Sequence, residues 1–344
     1  AFGTLVAAQV ALTYGLDFSI VHMNDFHARV EGIEMSESSC GDMNATESED
    51  LCDGGWPRIF TAAKQFVDDA GTKKVIFLED GDQFMGSIWS SYYKGSEAAQ
   101  FLNQLCKPRA EGGAGFAACV STFGNHEWDY GYETLLNYTK SLEFPVVSTN
   151  LVDDCAANTQ GNTVASELGS LVKSSHIVEI DGVKVGIVGY TTPETMTISS
   201  APDCVDIVDE ITAVKPVTDS LKAENVDIII AIGHSGYAED QVIAKGLPDI
   251  DVIIGGHSHT FLWDEAAQGA NPVLSAPFFD GKPTTTSLRG DYPTTVEGTP
   301  IVQSFWGGRY LGMLDVSFNT EGVLESAVPG AVLVGNDSNS TNAA

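Results

Sequence analysis

The stretch Asp251-Val-Ile-Ile-Gly-Gly-His-Ser-His259 runs from a short apolar segment through two glycines into two histidines one residue apart. The same grammar recurs along the chain. Leu16 to His22 leads into Asp25-Phe26-His27, Val75 to Leu78 into Gly81-Asp82, Cys119 to Phe123 into Gly124-Asn125-His126-Glu127, and Val226 to Ile232 into Gly233-His234. With Pro145 to Ser148 and Val183 to Val188, most of these runs read as fully buried strands. Between them lie helix-like segments, Arg58 to Asp69, Ser96 to Leu105, Tyr132 to Leu142 and Asp206 to Asn225. Alternation of that kind predicts an α/β fold. In open α/β sheets the binding crevice lies outside the carboxyl ends of the strands, so five strand ends bring residues distant in sequence to one place.

What collects there is suited to metal. Five of the seven histidines fall in these motifs, and Asp25, Asp82 and Asn125 add oxygen ligands. Three oxygen donors and four imidazoles are enough for two divalent cations that share one carboxylate. Asp25 and His27, one residue apart, are expected to point the same way from an extended loop and bind one ion. Gly81 permits a sharp turn presenting Asp82 between two cations. Asn125 ligates through its amide oxygen, and the small residues around His257 and His259 leave room for a ligand. His234, at the end of a very apolar run, reads on its own as a buried structural histidine.

Composition narrows the partners. The 344 residues are 43% apolar, enough for a large core, and 17 basic against 47 acidic residues give a net charge of −30. That field repels DNA, RNA and anionic membranes, so a nucleic-acid polymer is not expected as a partner. An anionic substrate would need a local reversal of the field, which a pair of dications supplies. No run approaches the roughly 20 apolar residues of a membrane span.

Six cysteines without a Cys-x-x-Cys motif read as disulfides formed in an oxidising compartment, hence a secreted or cell-surface location. Nearest-neighbour pairing would join Cys40 with Cys52, Cys106 with Cys119 and Cys155 with Cys204, but other connectivities are open. Asn44, Asn137, Asn336 and Asn339 begin glycosylation acceptor triplets. Residues 1–15 include a small apolar run that fits a signal-peptide remnant or leader, and 331–344 read as a polar linker or tail. Phe261 to Pro300, rich in Pro, Gly, Thr and Asp, is expected to form loops around the site or a connection between sheets. Ile301 to Phe305 and Tyr310 to Phe318 then predict a closing hairpin or meander joined through Gly307-Gly308.

Taken in order, Ile20-Val-His-Met-Asn-Asp-Phe-His27, Gly81-Asp-Gln-Phe-Met-Gly86 with Trp89 and Tyr93-Lys94-Gly95, Gly124-Asn-His-Glu-Trp-Asp129, Gly233-His-Ser-Gly236 and Gly255-Gly-His-Ser-His259 resemble the metallophosphatase domain of the 5′-nucleotidase family, a branch of the calcineurin-like phosphoesterases that includes apyrases and UDP-sugar hydrolases. The resemblance implies a four-layer α/β-β/α sandwich over residues 16–330. It implies one metal on Asp25, His27, Asp82 and His259 and a second on Asp82, Asn125, His234 and His257, with zinc the first candidate and manganese or iron the alternatives. His126 and Asp129 become a catalytic pair, while His22 and His176 stay outside the site. The implied substrate is a small phosphate ester, a nucleoside 5′-monophosphate first, with apyrase-like or broad phosphatase activity as the alternative. Two-domain members add a C-terminal specificity domain, which would begin where this chain stops. A non-catalytic extracellular binding protein on the same scaffold is the reading of a different class. The Tyr292-Pro293 and Phe278-Phe279 pairs offer local stacking surfaces for a base.

Overall fold

A computed structural model describes residues 15–34, 52–155, 158–159, 162–163, 166–264, 288–330 and 332–333. The expected leader and tail, Cys40, the side chain of Cys52, Asn44, Asn336, Asn339 and Phe278-Phe279 lie outside the described residues or side chains.

Side-chain alternation along each strand builds the layers. On β1 (Leu16–Met23), Leu16, Phe18 and Ile20 enter one core while Val21 and Met23 enter another. On β2 (Lys74–Glu79), Ile76 and Leu78 join the first core and Val75 and Phe77 the second. The second core also receives Trp56, Ile59 and Ala63 of α1 (Trp56–Asp69) and Leu102 and Leu105 of α2 (Ser96–Cys106). The chain continues through β3 (Ala118–Ser121), α3 (Tyr132–Ser141), β4 (Ser175–Ile180), β5 (Val183–Thr191), α4 (Glu210–Ala223), β6 (Ile228–His234), α5 (Tyr237–Gly246), β7 (Val252–Gly255), β8 (Thr294–Val296), β9 (Thr299–Val302), β10 (Tyr310–Phe318) and β11 (Leu324–Pro329).

Ile228, Ile230 and Ile232 of β6 face the same central core as β1, and Ile229 and Ala231 face Val214 and Leu221 of α4 and Ile243 of α5. Two sheets thus pack face to face, each with helices on its outer side. The four-layer sandwich expected from the resemblance is what the chain forms. Both faces of β6 are buried, which is why its sequence is apolar throughout rather than alternating.

One sheet has the order β11-β10-β1-β2-β3 and the other β8-β9-β7-β6-β5-β4. The pairs β1/β2, β2/β3, β5/β6, β6/β7 and β7/β9 are parallel, and β10 lies antiparallel to β1. The five motif-bearing strands therefore present their carboxyl ends toward one edge of the paired sheets.

Three expectations are corrected. Thr299–Val302 and Tyr310–Phe318 do not form a hairpin: the former pairs with β7 and the latter with β1 and β11, so residues 303–309 connect the two sheets. A hairpin reading rests on local contacts, whereas Thr299–Val302 lies between Val252–Gly255 and Thr294–Val296 and Tyr310–Phe318 between Leu16–Met23 and Leu324–Pro329. Pro145 to Ser148 makes only isolated bridges, Ser121 with Val146 and Val147 with Lys173. The helix expected from Asp206 starts at Glu210, because Asp209 caps it through the amide of Thr212 at 2.8 Å, while Val205–Ile207 pairs as a short strand with Leu151–Asp153.

Disulfides join Cys106 to Cys119 and Cys155 to Cys204. Tyr292 is not an exposed stacking surface: it is fully buried in the central core with its hydroxyl 2.7 Å from His22 Nε2, so burial of its large ring wins over exposure.

Candidate metal centre

Asp25, His27, Asp82, Asn125, His126, Asp129, His234, His257 and His259 all lie at or just beyond the carboxyl ends of β1, β2, β3, β6 and β7. The structure brings seven of them into three overlapping clusters, Asp25/His27/His259, His27/Asp82/His126 and Asp82/His234/His257, within each of which the ligand-type atoms lie inside 4.8 Å of one another. His234 Nε2 sits 3.0 Å from Asp82 Oδ2, and His259 Nε2 sits 3.2 Å from Asp25 Oδ1. Asn125 Oδ1 is 2.8 Å from His257 Nδ1, which ties it to the third cluster. His22 is buried in the core, and His176 lies on β4, so neither joins the clusters.

The loops carrying these residues are not extended as their one-residue spacing suggests. Asp25, His27, Asp82, His257 and His259 all have positive φ, between 49° and 74°. Left-handed backbone at non-glycine residues costs on the order of 1 kcal/mol or more each, and persists where surrounding contacts over-determine it. Those contacts are present. Asp25 N donates to Gly81 O at 3.1 Å, His27 N to Asp82 O at 2.9 Å and Gly307 N to Asp25 O at 2.7 Å. Gly81, with φ 81°, has no alternative, since a Cβ there would lie 2.1 Å from the amide nitrogen of Gly124.

Imidazole orientation is set from behind. His234 Nδ1 lies 2.5 Å from the carbonyl of Asp80, and His27 Nδ1 lies 3.2 Å from that of Phe84, so each presents Nε2 to the cluster as a lone-pair donor. One observation tests whether the set fits cations: Asp25 Oδ1, Asp82 Oδ2 and the Nε2 atoms of His27, His234 and His259 approach one another at 2.9–3.9 Å, so with His27 and His234 held through Nδ1 several lone pairs face the same buried space. The charge balance agrees. Burial pushes the His234 pKa down, but Asp82 and Asp25 outweigh it and hold it up at about 10. Asp82 in turn is held below the usual carboxylate range: burial raises it, and His234, His27 and His126 more than offset that. Two buried carboxylates thus place negative charge beside His234. Mixed carboxylate, imidazole and amide donors suit a borderline divalent metal, and these residues fit a pair of them.

His126 Nδ1 lies 2.5 Å from Asp129 Oδ2. Burial lowers its pKa, but the hydrogen bond to Asp129 and the charge of Asp82 prevail and hold it up at about 9. Its side chain is a third exposed, which leaves it accessible to substrate.

Three participants receive no role from the sequence. Glu127 is fully buried and accepts the backbone amides of Asp82, Gln83, Phe84 and Gly124 at 2.6–3.2 Å. Burial and the charge of Asp82 push its pKa up to about 7 while these amides pull the other way. Asn24 accepts from Ser304 N and donates to Phe305 O, binding the β1 loop to the inter-sheet connection. Trp306 stacks on His259, with ring centroids 5.4 Å apart. Glu127 alone had a signal, its place directly after Asn125-His126.

The calcineurin-like phosphoesterase family profile matches residues 18–261. The chain is 35% identical over 312 residues to the 5′-nucleotidase of Mus musculus, covering 89% of this chain and 47% of that protein. It is 33% identical over 325 residues to the snake venom 5′-nucleotidase of Naja atra, covering 92% and 53%. The crystal structure of a 5′-nucleotidase precursor from Thermus thermophilus superposes with a TM-score of 0.71 at 29% identity, over 92% of this chain and 54% of the other. The chain spans about half the length of the curated relatives it matches. With the two-sheet fold, the clustered ligand-type side chains and this match over most of its length, the chain belongs to the calcineurin-like phosphoesterase family.

Proposed function

We propose that this chain carries out metal-dependent hydrolysis of phosphate monoesters outside the cell, with nucleoside 5′-monophosphates as the preferred substrates. The observation that carries the reading is the sharing of Asp82 between the clusters of His27 and of His234 with His257. Asp25, His27, Asp82 and His259 would hold one divalent cation and Asp82, Asn125, His234 and His257 the other, zinc first and manganese or iron as alternatives. Two such cations supply Lewis acidity, lowering the pKa of a bound water and neutralising the phosphoryl oxygens.

The chain's own groups supply positioning and protons. Hydrolysis breaks the bond between phosphorus and the ester oxygen, and the departing oxygen must take up a proton. His126 would give it, a role supported by the contact of its Nδ1 with Asp129, which favours the imidazolium and fixes the ring. Its backbone amide donates to Asp82 Oδ1 at 2.8 Å, so the acid and the shared carboxylate are fixed to one another. Glu127 holds the backbone of both their loops.

The nucleotide preference is supported by the similarity to 5′-nucleotidases. The extracellular placement is supported by the two disulfides and by the venom relative. Among the described residues no helix is long and apolar enough to cross a membrane.

The test is phosphate release from AMP, ATP and an aryl phosphate with added zinc or manganese, against Asp82→Ala as the blank. Metal-dependent turnover favouring AMP is expected. Equal rates on all three would replace the nucleotide preference with broad phosphatase activity, a preference for ATP would make the reading apyrase-like, and turnover no higher than the blank would remove the enzymatic reading.

A further inference from the structure

The imidazoles of the candidate metal centre are not oriented alike. His234 and His27 have their Nδ1 atoms on backbone carbonyls behind the cluster, and His257 directs its Nδ1 toward Asn125 Oδ1, on the cluster side. His259 is the exception. Among the described residues its hydrogen-bonding is confined to Nε2, on the side of the cluster, and its side chain is 39% exposed. An exposed imidazole held through one nitrogen alone keeps rotamer freedom that would be lost on ligating a metal, and that loss weakens the site.

Trp306 lies against the face of this ring. Its indole is nearly parallel to the His259 ring, at 15° and 5.4 Å between centroids, and it meets His27 edge-on at 6.3 Å. The indole is itself held. The guanidinium carbons of Arg29 and Arg309 lie 5.5 and 5.4 Å from its centroid, within cation–π range. The backbone around it is anchored to the loop bearing Asp25: Asn24 Nδ2 donates to Phe305 O at 2.6 Å, and Gly307 N donates to Asp25 O at 2.7 Å. Phe305, buried, has a φ of 69°, a left-handed conformation that turns the chain just before Trp306.

We propose that Trp306 is the positioning residue of His259: a rigid aromatic plate, locked by Arg29 and Arg309, that fixes the imidazole plane by stacking where His27 and His234 use hydrogen bonds to backbone carbonyls. This role rests on the reading of His259 as a metal ligand. Stacked aromatic pairs at this separation are attractive beyond their buried area, and outer groups that orient a ligating histidine typically change metal affinity by about 10- to 100-fold. The effect should fall on the site that His259 serves and spare the one built from Asn125, His234 and His257.

The experiment titrates metal-free protein with zinc against a chromophoric chelator, comparing wild type, Trp306→Ala, Trp306→Leu and Trp306→Phe, with intrinsic tryptophan fluorescence followed in parallel. Wild type is expected to bind two zinc ions. In Trp306→Ala one of the two affinities falls about 10- to 100-fold and the other stays within about threefold, while Trp306→Phe, which keeps a ring, restores both to within about threefold. Trp306→Leu fills the volume without a ring and should behave as the alanine variant, and it decides the question if the smaller side chain does not fold. The zinc-dependent fluorescence change shrinks in Trp306→Phe although affinity is kept. Wild-type affinity at both sites in Trp306→Ala or Trp306→Leu overturns the proposal, as does equal weakening of both sites in all three variants. Failure of the wild type itself to bind zinc, manganese or iron removes the metal-centre reading, and the role of Trp306 with it.

Discussion

Glu127 Oε2 accepts the backbone amide of Asp82 at 2.9 Å and that of Gly124 at 2.6 Å, so one buried carboxylate fastens the loop after β2 to the loop after β3. Its other oxygen accepts from Gln83 and Phe84. All four partners are donors, which gives the charged carboxylate a complete shell. The residue beside the candidate proton donor thereby sets the backbone on which Asp82, the candidate shared ligand, stands.

Glu127→Gln should therefore be far from conservative. The new amide must turn its NH2 toward backbone N–H groups on one side, leaving buried donors unpaired at about 1–3 kcal/mol each. We expect the urea midpoint to fall by the equivalent of about 2–4 kcal/mol and zinc affinity to weaken with it. A midpoint equal to wild type would show that the loops are held by other contacts.

Asp129→Asn should separate proton donation from metal binding. Asparagine can still accept from His126 Nδ1 but removes the negative charge that supports the imidazolium. Turnover of AMP is expected to drop on the order of 100-fold, with a much smaller loss on an aryl phosphate whose leaving oxygen needs little protonation. Because His126 acts as an acid, a pKa held up at about 9 extends activity toward alkaline pH, and the alkaline limb should move to lower pH in the variant. Equal losses on both substrates would argue against His126 as the donor.

Asp251 gives a stability prediction away from the site. Its carboxylate accepts from Ile229 N at 2.8 Å, and burial raises its pKa from 3.8 to about 6. Between those values the folded state keeps a proton that the unfolded chain has lost, so raising the pH through this window favours unfolding. Asp251→Asn keeps an acceptor without the charge. It should be more stable than wild type at pH 7 by about 1–2 kcal/mol, with the difference vanishing near pH 3.5, as read by urea unfolding across pH. A constant difference at all pH values would contradict this account.

Much of the candidate site was legible because its ligand-type residues sit at strand ends. Apolar runs such as Ile228 to Ile232 mark buried strands, and the polar residues after them mark one edge of the sheet, so Asp25, Asp82, Asn125, His234 and His257 could be grouped without coordinates. Asp25 and His27 were grouped rightly for a wrong reason. Their shared direction comes from left-handed backbone clamped by Gly81 and Gly307, not from the two-residue period of an extended chain. Asp206 to Ile207 looked helical because a strand of three residues shows no period, and only its pairing with Leu151–Asp153 identifies it.

Glu127, Asn24 and Trp306 escaped because nothing local distinguishes a carboxylate that will accept four amides, or an indole that will stack on a histidine far earlier in the chain. Short-range periodicity and side-chain chemistry were enough for the α/β class, the buried strands and the groups that meet at their ends, because each of these is written within a few neighbouring residues. Folding in three dimensions settled which sheet each of the last strands joins, the strained loop geometry and the groups that orient the imidazoles. Those depend on which segments win long-range pairings and on contacts between loops, and neither leaves a period in the chain.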